Sequence, residues 1–165
     1  MPDQPTPASL RENHGFARVA AVSPELVLGD VAANLAILKR EMTALAAQGA
    51  RLIVFPELSL TGYSCADLFH HAALLKRLRR PLPDLAKTPA GLGCVAVVGL
   101  PLAVESRLYN VAAVIAEGRV LGYVPKCFLP NSGEFYERRW FSPAATLAAS
   151  EVDGIPIGTD LLFAA

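Results

Sequence analysis

A short apolar run followed at once by a proline and a carboxylate constrains this chain more than any other feature. Residues 52–55 are all apolar and predict a buried strand, and Pro56-Glu57 follow directly. The lack of polar alternation predicts a strand covered on both faces. Glutamate is rarely buried unless it is paired or functional, and ligands of open α/β sheets bind beyond the carboxyl ends of the strands. Glu57 is therefore a candidate site residue, the alternative being a carboxylate that caps a turn in solvent.

The residues before this run predict a helix between two parallel strands. Residues 14–22 predict a first strand that enters the core, and Asp30 is a favourable N-cap for the helix that follows. Apolar residues then recur at helical spacing, with polar residues such as Asn34 mostly off that stripe, and Gly49 is a candidate C-terminal cap. Strand, helix and strand in this order imply a right-handed crossover and a parallel pair.

The later elements are predicted from local patterns. Asp67 is a candidate N-cap for a second helix that ends near Pro81 and Pro83. Glu117-Gly118 indicate a hairpin turn, and residues 131–139 read as a polar loop of the kind that lines sites. The remaining predicted strands are residues 94–100, 108–116, 119–124, 155–157 and 161–164.

A second strand ends in the same way as the first. Residues 119–124 run into Pro125-Lys126, so that Lys126 would end its strand as Glu57 ends its own. With these two motifs the chain resembles the nitrilase, or carbon-nitrogen hydrolase, superfamily, which uses a Glu-Lys-Cys triad. The resemblance implies that Glu57 is the general base and that Lys126 is the cation that stabilises a negative oxygen in the transition state.

Three further motifs make the chain most similar, within that superfamily, to the glutaminase domains of glutamine-dependent NAD synthetases. They are residues 62–64 with 67–69 (GYS and DLF), residues 134–139 (EFYERR) and residues 158–163 (GTDLLF). The resemblance implies that Tyr63 lines the substrate pocket and that Glu137 supports the triad, with Glu134 as the rival for that role. It also implies an α/β fold, the nitrilase-like α-β-β-α sandwich, of which this chain would hold the first half to two-thirds.

The nucleophile of the triad is missing from the predicted site. The cysteine of the resembled family lies on a strand well beyond the lysine, and Cys65, Cys94 and Cys127 do not match it. Cys127 follows Lys126 directly, so on a strand it would face away from the pocket. We expect residues 1–12 to be a disordered lead-in and residues 13–165 to form the hydrolase domain, truncated before the nucleophile strand. The chain alone should then be inactive.

The resemblance implies release of ammonia from glutamine, for amidation of nicotinate adenine dinucleotide. One alternative is an amidase or carbamoylase that acts on another small amide. The other is a non-catalytic, truncated module that binds partners. We expect no cofactor in this chain, because it has no glycine-rich phosphate loop; ATP and magnesium belong to the synthetase domain of the resembled enzymes.

Composition narrows the possible partners. Fifteen basic and fifteen acidic residues give a net charge of zero, which argues against nucleic acid and anionic membranes as partners. Three cysteines without a metal-type spacing predict no metal site and fit a reducing cytoplasm. Half a sandwich would leave apolar faces and strand edges bare, so we expect a homo-oligomer or association with a completing chain.

Overall fold

The structure, a computed structural model, describes residues 15–79 and 82–164. Within them, five strands form one sheet in chain order, parallel from β1 to β3 and antiparallel from β3 to β5. The strands are β1 Val19–Ala21, β2 Leu52–Val54, β3 Val95–Val104, β4 Arg107–Ala116, β5 Arg119–Pro125, β6 Glu151–Val152 and β7 Ile155–Pro156. The helices are α1 Val31–Ala47, α2 Ala72–Arg79 and α3 Leu82–Leu92. The predicted lead-in, residues 1–12, lies outside the described residues.

The first helix and the parallel strand pair are confirmed. The Asp30 side chain accepts hydrogen bonds from the backbone N–H groups of Ala32 and Ala33 at 3.1 and 3.0 Å, which makes it the N-cap of α1. β1 pairs in parallel with β2. The first strand only borders the core, against which Ala20 and Val22 pack. β1 is a short edge strand, and 64% of Val19 is exposed.

One face of the sheet is covered by helices and the other is largely open. Ile53 of β2 is fully buried in the same core as Leu38 and Met42 of α1. Its neighbour Val54 is 37% exposed and shares its face with Val97. The prediction that this strand is covered on both faces is therefore wrong, because the helices supply only one covering layer. We call the Val54 side of the sheet the open face.

The second helix differs from its prediction. Asp67 does not cap it, because Asp67 lies inside a 3-10 segment, Tyr63–His70, and its carboxylate binds Arg139 instead. The helix α2 begins at Ala72, and a further helix, α3, follows it. That helix was not predicted, since Pro81 and Pro83 suggested an end. Proline is tolerated in the first turn of a helix, where the N–H groups have no helical partner.

The hairpin of β4 and β5 is confirmed, with Glu117 and Gly118 both in the left-handed region that its tight turn requires. β3 extends beyond the predicted residue 100 and forms a second hairpin with β4. Residues 161–164 are not a strand, which corrects their assignment. Leu161 and Phe163 instead pack where a side chain at Gly122 would lie, on the open face over β5.

The whole is a mixed α/β fold, as the sequence predicts. Helix α1 packs on α3, and α2 and α3 pack on the sheet, so the helices form one layer. Among the described residues, no helix combines the length and the apolar character needed to cross a membrane.

Candidate active site

Three strands bring three polar side chains together at the open face. Glu57 follows β2, Lys126 follows β5, and Asn110 lies on β4 between them in the sheet. Asn110 pairs with Pro101, and Ala112 pairs with Val124, so that alternation places Asn110, Val124 and Lys126 on one face. Each of the two apolar strands that are followed by a proline and a charged residue therefore contributes one charged side chain, Glu57 or Lys126, to the same site.

Glu57 and Lys126 form an ion pair in contact with Asn110. The Lys126 Nζ lies 2.7 Å from Glu57 Oε1, and the Asn110 side-chain amide donates to that same oxygen. The backbone N–H of Lys126 also donates to the Asn110 carbonyl at 2.8 Å. Glu57 retains 38% side-chain exposure and Lys126 28%, so the pair opens toward the solvent side of the sheet.

Glu137 completes the contacts of Lys126. Its Oε1 lies 3.0 Å from Lys126 Nζ and accepts a hydrogen bond from the Tyr63 hydroxyl at 2.7 Å. The Glu137 side chain is only 2% exposed, whereas Glu134 lies in the exposed loop before it. Of the two rival glutamates, Glu137 is thus the one in contact with Lys126.

The charges around Lys126 keep it protonated. Burial by itself lowers the pKa of Lys126, but hydrogen bonds to Glu57 and Glu137 outweigh it, and the pKa is raised above its usual value. Burial, followed by the hydrogen bond to Glu137, raises the pKa of the Tyr63 phenol well above its usual range. At neutral pH the site therefore holds the Lys126 ammonium, which can stabilise a negative charge, and the neutral Tyr63 phenol, which can donate a hydrogen bond.

The loop that carries Glu57 is fixed by close contact with β3. A Cβ built on Gly99 would lie 2.4 Å from the Leu58 nitrogen and 2.6 Å from the Pro56 carbonyl oxygen. The Ser59 hydroxyl accepts from the Gly99 N–H at 3.2 Å, and Leu58 adopts a left-handed φ of 54°. Glu57 therefore sits in a tight, strained turn that only a glycine on β3 allows.

A buried amide ties this loop to the first helix. Asn34 is fully buried on α1, which corrects its placement off the apolar stripe. Its side chain donates to the Leu60 carbonyl at 3.2 Å and the Val27 carbonyl at 2.8 Å, and accepts from the Val27 N–H at 2.7 Å. The helix thereby joins the loop of Val27 to the loop that carries Glu57, and these three backbone groups have a side-chain partner.

Asn110, Asn34 and Gly99 escaped the prediction of site residues. From the sequence, Asn110 inside its predicted strand can either bond backbone in the core or line a site, and the first is the commoner case. A polar residue on a buried strand is the usable signal, because such a group must find a partner. No comparable signal marks Gly99, since the close approach depends on residues about 40 positions away.

The three cysteines lie in different surroundings. Cys65 and Cys94 are buried, and burial raises the pKa of each thiol, which disfavours the reactive thiolate. Cys127 is exposed next to Lys126, with its sulfur 3.9 Å from the Pro125 carbonyl oxygen. The arrangement thus offers a carboxylate base and a cation, while two of the three thiols are inert core groups.

Comparisons with known proteins agree with this geometry. A family model described as carbon-nitrogen hydrolase matches residues 18–162. The glutamine-dependent NAD(+) synthetase of Mycobacterium bovis is 46% identical over 156 residues, which are 92% of this chain and 23% of that protein. The glutamine-dependent NAD(+) synthetase of Thermotoga maritima is 33% identical over 144 residues, 87% of this chain and 25% of that protein. The chain spans about a quarter of the length of these curated relatives.

Solved structures show the same fold. The glutamine-dependent NAD(+) synthetase from Cytophaga hutchinsonii superposes with a TM-score of 0.82 at 24% identity, covering 90% of this chain and 26% of that one. An amidase from Nesterenkonia sp. superposes with a TM-score of 0.64 at 23% identity, covering 77% of this chain and 48% of that one. At these identities the likeness shows the fold and not the substrate.

Proposed function

Because this chain belongs to the carbon-nitrogen hydrolase family, we propose that it carries the base and the cation of a glutamine amidohydrolase site. In this proposal the ammonia released from glutamine serves the amidation of nicotinate adenine dinucleotide. The observation that carries it is the contact of Lys126, which follows β5, with both Glu57, which follows β2, and the buried Glu137. The sequence identity to two glutamine-dependent NAD(+) synthetases supports this substrate over other amides.

Each residue has a definite task in the proposed reaction. A cysteine thiol loses its proton to Glu57, and the sulfur attacks the amide carbon of glutamine. Lys126 stabilises the negative oxygen of the tetrahedral intermediate, more strongly than it could in bulk water. The C–N bond then breaks, Glu57 returns the proton to the departing ammonia, and a thioester remains. Water activated by Glu57 hydrolyses the thioester to glutamate and regenerates the thiol.

Asn110 and Glu137 prepare the two charged groups for these steps. Asn110 and Lys126 both donate to Glu57 Oε1, which fixes the carboxylate and leaves its other oxygen to meet a thiol. Glu137 holds the ammonium from the opposite side, so that Lys126 does not fold onto Glu57 alone. Tyr63 hydrogen-bonds Glu137 and has 38% of its surface free to contact substrate.

We further propose that the nucleophile comes from outside this sequence. Cys65 and Cys94 are buried, and the Cys127 sulfur lies against the Pro125 carbonyl oxygen, just beyond the end of β5. This chain by itself should then release no ammonia from glutamine. Without its nucleophile, an enzyme of this kind loses several orders of magnitude in rate.

A hybrid enzyme tests the proposal. In it, this chain replaces the 156-residue stretch that it matches in the Mycobacterium bovis synthetase, which supplies the rest of the protein. We expect the hybrid to release ammonia from glutamine. Its kcat/KM for glutamine should exceed that for acetamide or a carbamoyl amine by at least about 100-fold, because a site built for a substrate's polar groups rejects analogues that lack them.

The other outcomes select among the alternatives. Equal kcat/KM for glutamine and acetamide would favour an amidase over a glutaminase. A folded hybrid that hydrolyses none of these amides would favour a non-catalytic module. Ammonia release by this chain alone would contradict the proposal that its cysteines take no part.

A further inference from the structure

We propose that Asp67, Arg139 and Trp140 form a clamp that holds Tyr63 and Glu137 in place against Lys126. The clamp acts through these two residues, so its members are positioning residues and not catalytic ones. The inference concerns the same site as the proposed function, and its catalytic significance rests on that proposal. Its geometric part can be tested without any reaction.

The clamp joins two segments that are distant in sequence. Arg139 donates two hydrogen bonds to Asp67, from Nε to Oδ1 at 2.8 Å and from Nη2 to Oδ2 at 2.9 Å. The Trp140 indole N–H donates to the same Oδ1 at 3.0 Å. Asp67 follows Tyr63 on one segment, and Arg139 and Trp140 follow Glu137 on the other. The pair therefore fixes the distance between the backbones that carry the Tyr63–Glu137 hydrogen bond.

Aromatic packing beneath the ion pair continues the link. Phe69 is fully buried, and its ring centroid lies 5.8 Å from Trp140 and 5.0 Å from Phe141. Exposed ion pairs usually add little stability, except where a two-pronged arginine contact has good geometry. Here the Arg139 contact shares the Asp67 Oδ1 acceptor with the Trp140 indole, which packs on the buried ring of Phe69. Its main effect should be on the position of the two segments rather than on global stability.

Glu137 needs such support, because its position is unfavourable by itself. Its Oε1 binds Lys126 and Tyr63, whereas its Oε2 is buried and has no hydrogen-bond partner among the described residues. A buried polar atom without a partner favours rotation of the group toward water. Anchoring the adjacent Arg139 and Trp140 opposes that rotation.

The segment of Tyr63 also lacks regular support of its own. Ser64 and Ala66 within it have non-helical backbone angles, with a left-handed φ of 49° at Ala66. The 3-10 turns of this segment are therefore interrupted by a kink and do not form one continuous helix. Attachment of Asp67 to the other segment supplies the missing constraint.

Two reporters in the chain itself test the clamp. Trp140 is the sole tryptophan of the sequence, so its fluorescence reports whether the indole contact to Asp67 persists. Lys126 reports on the site through its rate of acetylation by acetic anhydride, measured by peptide mass spectrometry, because a lysine bound to carboxylates is protonated and unreactive. In Asp67→Ala we expect the emission maximum of Trp140 to shift. Lys126 should be acetylated roughly three- to tenfold faster than in the unsubstituted chain, with the exposed Lys76 as internal standard.

Matched variants separate positioning from general damage. Arg139→Lys keeps the charge but loses the fork, so we expect an intermediate rate at Lys126. The double variant Asp67→Arg with Arg139→Asp restores attraction and should recover part of the protection. Asp84→Ala removes a comparable exposed ion pair, with Lys39, between α1 and α3, and should leave Lys126 and Trp140 unchanged.

The inference fails if Asp67→Ala alters the Trp140 emission while acetylation of Lys126 keeps its wild-type rate. An unchanged Trp140 emission would equally contradict the indole contact. If Asp67→Ala does not fold, the same two measurements are made on Arg139→Lys, provided that its unfolding midpoint equals that of the unsubstituted chain. Neither reporter needs glutamine hydrolysis, so a failure of the proposed function leaves these outcomes readable.

Discussion

Replacing Glu57 by glutamine should lower the kcat of the hybrid enzyme for glutamine by about 100- to 10,000-fold, the range that a positioned general base contributes. Glutamine keeps the size of the side chain and can still accept a hydrogen bond from Asn110, but it cannot take a proton from a thiol. The loss should therefore appear in kcat with little change in KM. Steady-state ammonia release measures both.

Glu134→Gln is the matched control for this loss. Glu134 lies in the exposed loop beside the site, and its charge acts on Tyr63 only through space. We expect its kcat to stay within about twofold of the parent, since exposed charges interact weakly. A kcat for Glu57→Gln within tenfold of the parent would remove Glu57 from the role of base. A large loss for Glu134→Gln would reopen the choice between Glu134 and Glu137.

Replacing Gly99 by alanine should displace the loop that carries Glu57 and so disrupt the site. The new methyl group would lie 2.4 Å from the Leu58 nitrogen and 2.6 Å from the Pro56 oxygen, and both are backbone atoms that cannot swing aside. The loop of Glu57 must then move off β3. We expect a loss of about 1–3 kcal/mol in the free energy of unfolding, the usual cost of overpacking. A shift of Glu57 by about 1 Å should also lower kcat by about 100-fold.

Gly91→Ala is the control with the opposite sign. Gly91 lies in helix α3, and a Cβ built there meets no atom within 4 Å. The same substitution should raise the free energy of unfolding by about 0.5–1 kcal/mol, because alanine favours the helix over glycine. Urea unfolding followed by circular dichroism compares the two. Equal stability of Gly99→Ala and the parent would mean that the loop does not depend on the close approach to β3.

The open face of the sheet accounts for the expected association of this chain. Val19 and Val54 are exposed on the side that bears the site, and Leu161 and Phe163 cover only part of β5. Bare apolar surface of this kind favours contact with another sheet or another copy. We therefore propose that a homo-oligomeric contact or a completing chain covers this face.

Local features of the sequence predicted the elements that depend on neighbours in the chain. Asp30 caps α1 because its partners, Ala32 and Ala33, are two and three residues away. The turn at Glu117-Gly118 is likewise complete within the hairpin. Glu57 and Lys126 each end a predicted strand, and the resemblance to the carbon-nitrogen hydrolases implied that the two share one site.

Contacts between distant residues explain what the sequence did not reveal. Asp67 looked like a helix cap because its true partner, Arg139, is 72 residues away and the competition between the two roles is not visible locally. Asn34 looked like a solvent-facing residue because its acceptor at Leu60 lies on another loop. The exposure of Val54 was missed since an apolar run of four cannot tell one covering layer from two.

The most direct test of the central claim is alkylation of the hybrid enzyme by a diazoketone analogue of glutamine, mapped by peptide mass spectrometry. The claim is that Glu57 activates a thiol supplied from outside this sequence. We predict one glutamine-protected adduct, on a cysteine of the part that the Mycobacterium bovis protein supplies. This adduct should form at least about 100-fold more slowly in Glu57→Gln. A glutamine-protected adduct on Cys65, Cys94 or Cys127, or equal labelling rates with and without Glu57, would contradict it.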